Sequence, residues 1–302
     1  IFFMSSCDGS RWRCLSFSTS TSSVSPLNLS GIGKSLAKKL LSQGADVVLV
    51  ALDDDLLAAT AKELSAEFPA RQVRAVGVDL GASAGGVPSN KLGYLSKIKD
   101  ATSDIDVQLF FLNAGYMLTG FFESTPLEAQ LANLECNAVS AVSIAHLALQ
   151  KMVSANLPGC IVLTSSAAAA IASPFTSLYA ATKAFISSFG ASLAVEARHR
   201  GVDVLVFHPS PVASRFYDKA HKLDVLAFFR GVAVSPDALP PLVFGSVGRT
   251  VWRDVGSTAL AFRLMMKVVD YNLMAVATAV AAPLMPDFQR AVAAGKEKKR
   301  KM

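Results

Sequence analysis

Tyr179 and Lys183 stand four residues apart in the run Tyr179-Ala180-Ala181-Thr182-Lys183, and Ser166 precedes Tyr179 by thirteen. This set can carry acid–base chemistry on a carbonyl. A free phenol titrates near pH ~10, so it needs help to exchange protons near neutrality. On a helix, positions i and i+4 share one face. That spacing brings the Lys183 ammonium beside Tyr179 and favours the phenolate. Ser166 ends an apolar run over 160–166 that reads as a buried strand. A hydroxyl at such a strand's C-terminal edge is placed to donate to a substrate carbonyl oxygen. Tyr-x-x-x-Lys by itself is an ordinary surface pair on a helix. A strand ending Ser165-Ser166 and a fixed step to Tyr179 make the pattern far more restrictive.

The elements that must position these residues are legible around them. A helix is predicted over 33–43, closed by Gly44 as a C-cap. A buried strand follows over 45–51, bounded by Asp53-Asp54-Asp55, where Asp53 is placed to cap the next helix over 56–68. A strand over 72–78 ends at Asp79. After a Gly- and Ser-rich loop comes a helix over 91–102. A strand over 107–112 stops at Asn113-Ala114-Gly115, and one long helix is expected over 127–154. The strand over 161–164, the Tyr179 helix and a strand over 202–207 complete the pattern. Strands alternating with helices imply βαβ units, hence an α/β fold with a doubly wound parallel sheet of Rossmann type. Ligands of such sheets sit beyond the carboxyl ends of the strands. Asp79, Asn113, Ser166 and the Pro209-Ser210-Pro211 turn all fall there.

Composition narrows the function classes. The chain has 302 residues, 52% hydrophobic and 17% charged, with a mean hydropathy of +0.40. That suits one α/β domain with a helical C-terminal extension, and it brings membrane contact into view. The net charge is +6, and the tail over 296–301, with five bases and one acid, supplies +4 of it. The near-neutral body argues against nucleic acid as a partner. The tail reads either as a solvated end or as a contact for an anionic membrane surface. Cys7, Cys14, Cys136 and Cys160 lack metal or disulfide spacing, and Cys136 and Cys160 read as small buried hydrophobes. His146, His199, His208 and His221 lack ligand spacing as well, so their roles read as structural or solvated, and no metal site is expected. The uncharged stretch over 271–286 is sixteen residues long, short of the ~20 that span a bilayer. It reads as an interfacial or buried helix.

Taken together, Gly31-Ile32-Gly33, Asp79, Asn113-Ala114-Gly115, Asn137, Ser166, Tyr179-x-x-x-Lys183 and Pro209 to Ser214 resemble the short-chain dehydrogenase/reductase family over about 30–250. The stretch 158–220 looks most like the microsomal very-long-chain β-ketoacyl-CoA reductases and their hydroxysteroid dehydrogenase relatives. The resemblance implies that Tyr179 protonates the substrate carbonyl and that Lys183 lowers its pKa and holds the nicotinamide ribose. It makes Ser166 the group that orients the carbonyl, and Asn137 the support of a water-linked proton path. Gly31, Ile32, Gly33, Asp79, Asn113, Ala114, Gly115, Pro209 and Val212 would line the cofactor cleft. It implies NADP(H) rather than NAD(H), a lipophilic ketone as substrate, a homodimer, and a location at the endoplasmic reticulum membrane or in the cytoplasm. The lid of such an enzyme would fall on Phe216, Tyr217, Leu223, Phe228 and Phe229.

The chain departs from that family in two places. Leu27, after Pro26, stands where the first glycine of the phosphate-binding turn belongs, and the expected first strand is a Ser/Thr-rich run. Residues 1–29 are therefore expected to be disordered or aberrant, either an organellar targeting segment or a replacement of the normal start. After the strand over 45–51, Ala51 and Leu52 occupy the place of the acid or Arg that selects the cofactor. The expected layout is 1–29, a nucleotide-binding domain over 30–250, and a helical extension with a basic tail over 251–302 that includes a membrane-surface contact at 264–302. The alternative to an active enzyme is a non-catalytic protein of the same fold.

Overall fold

The computed structural model describes residues 2–5, 31–81, 93–217, 223–224, 227 and 231–301, with 2–5 and 295–301 defined by backbone alone. Its seven strands are β1 (Phe2–Ser5), β2 (Asp46–Ala51), β3 (Val73–Gly77), β4 (Val107–Leu112), β5 (Gly159–Thr164), β6 (Val202–Pro209) and β7 (Trp252–Val255). They form one sheet in the order β3-β2-β1-β4-β5-β6-β7. Every neighbouring pair is parallel except the two made by β1. The helices are α1 (Gly31–Ser42), α2 (Asp55–Glu67), α3 (Gly93–Ala101), α4 (Leu127–Leu134), α5 (Ser140–Ser154), α6 (Ser177–Arg198), α7 (Leu239–Phe244), α8 (Ser257–Val268), α9 (Tyr271–Ala281) and α10 (Pro286–Lys301).

The near-continuous apolar strands follow from burial on both faces. Val48, Phe110, Ile161 and Val204 meet Ile98 of α3, Ile144 of α5 and Ile186 of α6 on one face. The alternate residues Leu49, Leu109, Val162 and Leu205 meet Leu36 of α1, Leu64 of α2 and Val243 of α7 on the other. The predicted α/β fold with a doubly wound sheet is present. Gly44 closes α1 at φ +88°, as its place in the sequence implied.

Four local expectations need correction. The helix after β2 is capped by Asp54, whose Oδ1 accepts the Leu57 N–H at 2.9 Å, while Asp53 lies over Gly77. Strand β7 escaped the sequence pattern because Trp252-Arg253-Asp254-Val255 carries two charges. The long helix over 127–154 is broken by a π-turn at Glu135–Val139 between α4 and α5. The fourth correction concerns the expected disorder of 1–29, which does not hold for Phe2–Ser5. These residues fill the slot between β2 and β4, running antiparallel to both. Phe2 lies opposite Leu49 and Phe111, and Ser5 opposite Asp46 and Val107. An empty slot would leave two rows of backbone donors and acceptors unpaired inside the sheet. The apolar run Phe2-Phe3-Met4 is suited to close it. The Ser/Thr-rich run, Leu27, Cys7 and Cys14 lie outside the described residues.

The C-terminal extension wraps back toward the sheet's C-terminal edge. α8 and the segment 271–284 meet at a bend of 113°. α9 has no charged residue and buries none of its side chains. α10 then brings Phe288 against Phe121 and Phe175, with ring centroids 5.1 and 5.9 Å apart. α6 is apolar and long enough to cross a membrane, yet its Ile186, Ala194 and Ala197 belong to the core.

α6 lies on the sheet at Gly190, where an added Cβ would stand 2.3 Å from Val206 Cγ2 and 2.6 Å from Leu163 Cδ1. Gly190→Ala is expected to cost about 1–3 kcal/mol by overpacking. Thermal melting should register a drop of several degrees with the secondary structure retained; an unchanged melting temperature would contradict this packing.

Candidate active site

The site assembles where β4, β5 and β6 end. Lys183, only 4% exposed, leaves the second turn of α6 and donates from Nζ to the Thr164 carbonyl at the end of β5, 2.9 Å away. Burial pushes its pKa down to about 8. Ser166, two residues past that carbonyl, starts a 3₁₀ turn over Ala167–Ala170 and accepts the Ala168 N–H at 3.2 Å. Burial raises the Tyr179 pKa, and the nearby Ser166 hydroxyl only partly offsets this. The expectation that Lys183 favours the phenolate is therefore not met. Its Nζ lies 5.7 Å from the Tyr179 ring centroid and spends its hydrogen bond on Thr164.

Asn137 sits in the π-turn, a feature common at functional sites. Its Oδ1 accepts the Tyr116 N–H at 2.9 Å, and its Nδ2 donates to the Tyr116 carbonyl at 2.8 Å. Asn133, one turn earlier, donates to the same carbonyl. Between Asn137 and the lysine lies Gly115, where a Cβ would meet Asn137 Oδ1 at 3.0 Å and Lys183 Nζ at 3.4 Å. Asn113 accepts the Thr164 hydroxyl at 3.0 Å. Ala114 packs on the core beside them. Ser166, Tyr179, Lys183, Asn137 and the Asn113–Gly115 turn thus form one group.

The other predicted residues form the flank of the same crevice. Gly31 opens α1 at φ +46°, two residues before the predicted start. Ile32 packs on the cluster of Val212, Leu239 and Val255, so Gly31, Ile32, Gly33 and the segment after Pro209 lie together. Val212 is pinned by a parallel bridge to Val234. Asp79 is exposed beyond the end of β3 and turns back to accept the Gly81 N–H at 2.8 Å. Cys160 is buried as expected, while Cys136 is only partly so.

Sequence reasoning missed several contributors. Thr164 and Tyr116 act through main-chain atoms, which leave no residue-type signal. Asn133 was visible as an i−4 neighbour of Asn137. Phe175, at φ +63°, is an uncommon left-handed aromatic residue. It joins Phe121 and Phe288 in an aromatic wall. A depression of about 240 Å³ lies beside it, lined by Leu118, Gly120, Phe122, Leu178 and Tyr179. Of the predicted lid, Phe216 faces the Tyr179 ring at 5.7 Å and Tyr217 faces Phe216 at 5.2 Å. Phe228 and Phe229 lie outside the described residues.

Residues 28–223 match the short chain dehydrogenase family. The chain belongs to this family. Among family members, a very-long-chain 3-oxoacyl-CoA reductase of Schizosaccharomyces pombe is 29% identical over 61% of this chain and 54% of its own length. A 17-beta-hydroxysteroid dehydrogenase type 3 of Mus musculus is 30% identical over 61% and 57%. The chain spans about half the length of the curated relatives it matches. A short-chain dehydrogenase from Sphingobium yanoikuyae, solved in complex with NADPH, shares the fold at a TM-score of 0.66 and 23% identity, over 79% of this chain and 90% of that one.

The residues fit a nicotinamide cofactor unevenly. Around Gly115 a side chain would press on Asn137, and Lys183, Tyr179 and Asn113 lie near it, as a ribose and nicotinamide require. On the phosphate side only the opening turn of α1 is described, and β1 reaches the crevice by its first residue, not its last. The cofactor's chemistry there would be supply of a hydride.

The depressed Lys183 pKa has a stability consequence. Between pH about 8 and about 10.5 the unfolded chain holds a proton that the folded chain has released. This residue's contribution therefore rises with pH across that window and falls as pH drops back. Lys183→Met should remove that rise. Urea denaturation at both ends of the window would find the stability gap between variant and wild type independent of pH if Lys183 were not desolvated.

Proposed function

We propose that the chain reduces the keto group of a lipophilic substrate, most specifically a long-chain β-ketoacyl thioester, with NADPH as hydride donor. The convergence of Ser166, Tyr179 and Lys183 beside Asn137 and Gly115 carries this reading. Ser166 holds the carbonyl oxygen by a hydrogen bond. Tyr179, whose raised pKa keeps it protonated at neutral pH, delivers its proton to that oxygen as carbonyl becomes alcohol. This protonation state suits reduction better than oxidation, which would need the phenolate as base. Lys183, titrating near 8, is poised to restore the phenol's proton, with Asn137 ordering the path to it. The preference for NADPH leans on the resemblance alone, because Ala51 and Leu52 offer neither an acid nor an Arg to the ribose.

The lipophilic substrate is supported by the aromatic surroundings of Tyr179: Phe216, Tyr217, Phe121, Phe175 and Phe288. Relatives named very-long-chain 3-oxoacyl-CoA reductase agree with it. Such a substrate partitions into membranes, and α9 suits a membrane surface. Its Leu273, Val276 and Val280 are 61%, 53% and 71% exposed, and five bases follow over 296–301. We assign the protein to an anionic membrane surface, with the endoplasmic reticulum as the compartment. A homodimer through the α5 and α6 faces is supported by exposed Phe185, stacked on Phe189 at 6.1 Å.

The reversed β1 favours a second reading, a non-catalytic relative that has lost its dinucleotide. Calorimetric titration with NADPH and NADH separates the two. Saturable binding supports the reductase, and the absence of heat for both supports the inert relative. For the reductase, Tyr179→Phe should lower kcat by at least ~100-fold while leaving the fold and NADPH binding intact; retained turnover would end the mechanism. For the membrane contact, Val276→Glu combined with Val280→Glu should reduce co-sedimentation with phosphatidylserine vesicles about tenfold. Equal sedimentation of variant and wild type would remove α9 from the interface.

A further inference from the structure

One buried titratable side chain stands outside the proposed chemistry. His208, on β6, is 2% exposed and places Nε2 2.8 Å from the Ser187 hydroxyl. Ser187 Oγ donates to the Lys183 carbonyl at 2.8 Å. Ser165 Oγ donates to the same carbonyl at 2.8 Å and lies 2.7 Å from Ser187 Oγ. Lys183 is thus tied to the end of β5 twice, from Nζ to the Thr164 carbonyl and from its own carbonyl to Ser165.

Proton counting defines what His208 adds. Each serine has one proton to give. If Ser187 gives its proton to Lys183, the 2.8 Å contact with His208 can be a hydrogen bond only when Nε2 carries the imidazole proton. With the proton on Nδ1 instead, Ser187 would have to donate to the imidazole, and the Lys183 carbonyl would lose that bond. The ring is held in place from the sheet edge. Trp252 of β7 lies 5.0 Å from it, centroid to centroid, and Arg263 of α8 stacks over Trp252 at 4.4 Å. Asp254 Oδ1 lies 3.7 Å from Nδ1, and Arg263 donates to Oδ2 of the same carboxylate at 3.1 Å. Among the described residues, the charged groups acting on the ring are Asp254 of β7 and Arg263 of α8, with the Arg253 main chain beside them, and Lys183 shares the network.

We propose that His208 is a positioning residue for Lys183: through Ser187 it fixes the main chain of the α6 turn that aims the ammonium beneath Tyr179. This rests on the reductase reading for its catalytic consequence and on geometry alone for its structural one. Burial also pushes the His208 pKa down to about 4, which keeps the imidazole neutral over the range in which the enzyme would work. The proposed network uses the neutral ring with its proton on Nε2, which leaves the buried Nδ1 without a hydrogen-bond partner.

The test uses the full chain, two substitutions at His208, one at Ser187 and a double variant. His208→Gln can place an amide donor near the Nε2 position, whereas His208→Leu fills the volume without a donor. With NADPH and a long-chain β-ketoacyl-CoA, His208→Leu should lower kcat roughly tenfold through misplacement of the lysine. KM should be unchanged, and the basic limb of the kcat/KM pH profile should move. His208→Gln should recover most of both. Ser187→Ala should reproduce the leucine effect, and the double variant should be no worse than either single one. Wild-type kcat and pH profile in His208→Leu would overturn the proposal, as would equal loss in the Gln and Leu variants. Amide hydrogen exchange over 183–187 needs no turnover. It should quicken about tenfold in His208→Leu and stay near wild type in His208→Gln; identical exchange in all three overturns the positioning role. A wild type that reduces no ketone while exchange behaves as expected would instead sink the reductase reading alone.

Discussion

A single buried cation organises the molecule's working end. Removing an ammonium from water costs several kcal/mol unless it is hydrogen-bonded, and Lys183 finds its bond at the last carbonyl of β5. That requirement fixes α6 against β5 and β6. Gly115 lies against the ammonium, where a side chain would press on Asn137 Oδ1 at 3.0 Å and touch Nζ at 3.4 Å. Tyr179 is then set on the same helix face, and Ser166 follows because the strand that supplies the carbonyl continues into its turn. The cost of hiding the charge appears as a pKa pushed down to about 8. A lysine so placed exchanges protons near neutrality without a carboxylate partner.

The wall around that centre is assembled from distant parts of the chain. Phe121 follows β4, Phe175 precedes α6, and Phe288 comes from α10 after the chain has passed through exposed α9. Phe175 holds a left-handed backbone that usually costs an L-residue about 1–3 kcal/mol. Packing against Phe121 and Phe288 offsets it. The helix proposed to touch lipid and the α10 helix that carries Phe288 into the aromatic wall are therefore separated by one short turn, over Ala282–Leu284.

What the sequence disclosed and what it hid divide along physical lines. Side-chain periodicity exposed the parallel strands and their helices because both sheet faces are buried. Residue type exposed Ser166, Tyr179, Lys183 and Asn137. Main-chain roles, such as the Thr164 and Tyr116 carbonyls, carry no compositional mark. The π-turn was invisible because one extra residue in a helical turn leaves the apolar pattern nearly intact. The phenol's raised pKa was misjudged because i+4 spacing reports proximity, not where the lysine spends its hydrogen bond. His208 was set aside as structural; its spacing in sequence gave no hint of the serine pair beneath Lys183. Strand β1 was sought just before Gly31, while the segment that fills its slot lies far upstream.

That strand separates two properties that usually travel together. In a parallel arrangement the central strand both completes the sheet and hands the chain directly to the phosphate-binding turn. Backbone pairing is nearly indifferent to strand direction, but the hand-off is not. A reversed strand therefore restores cohesion while breaking the covalent continuity between sheet centre and ligand cradle. Cohesion of the sheet and grip on a nucleotide thus rest on different residues here, and a change that weakens one need not weaken the other.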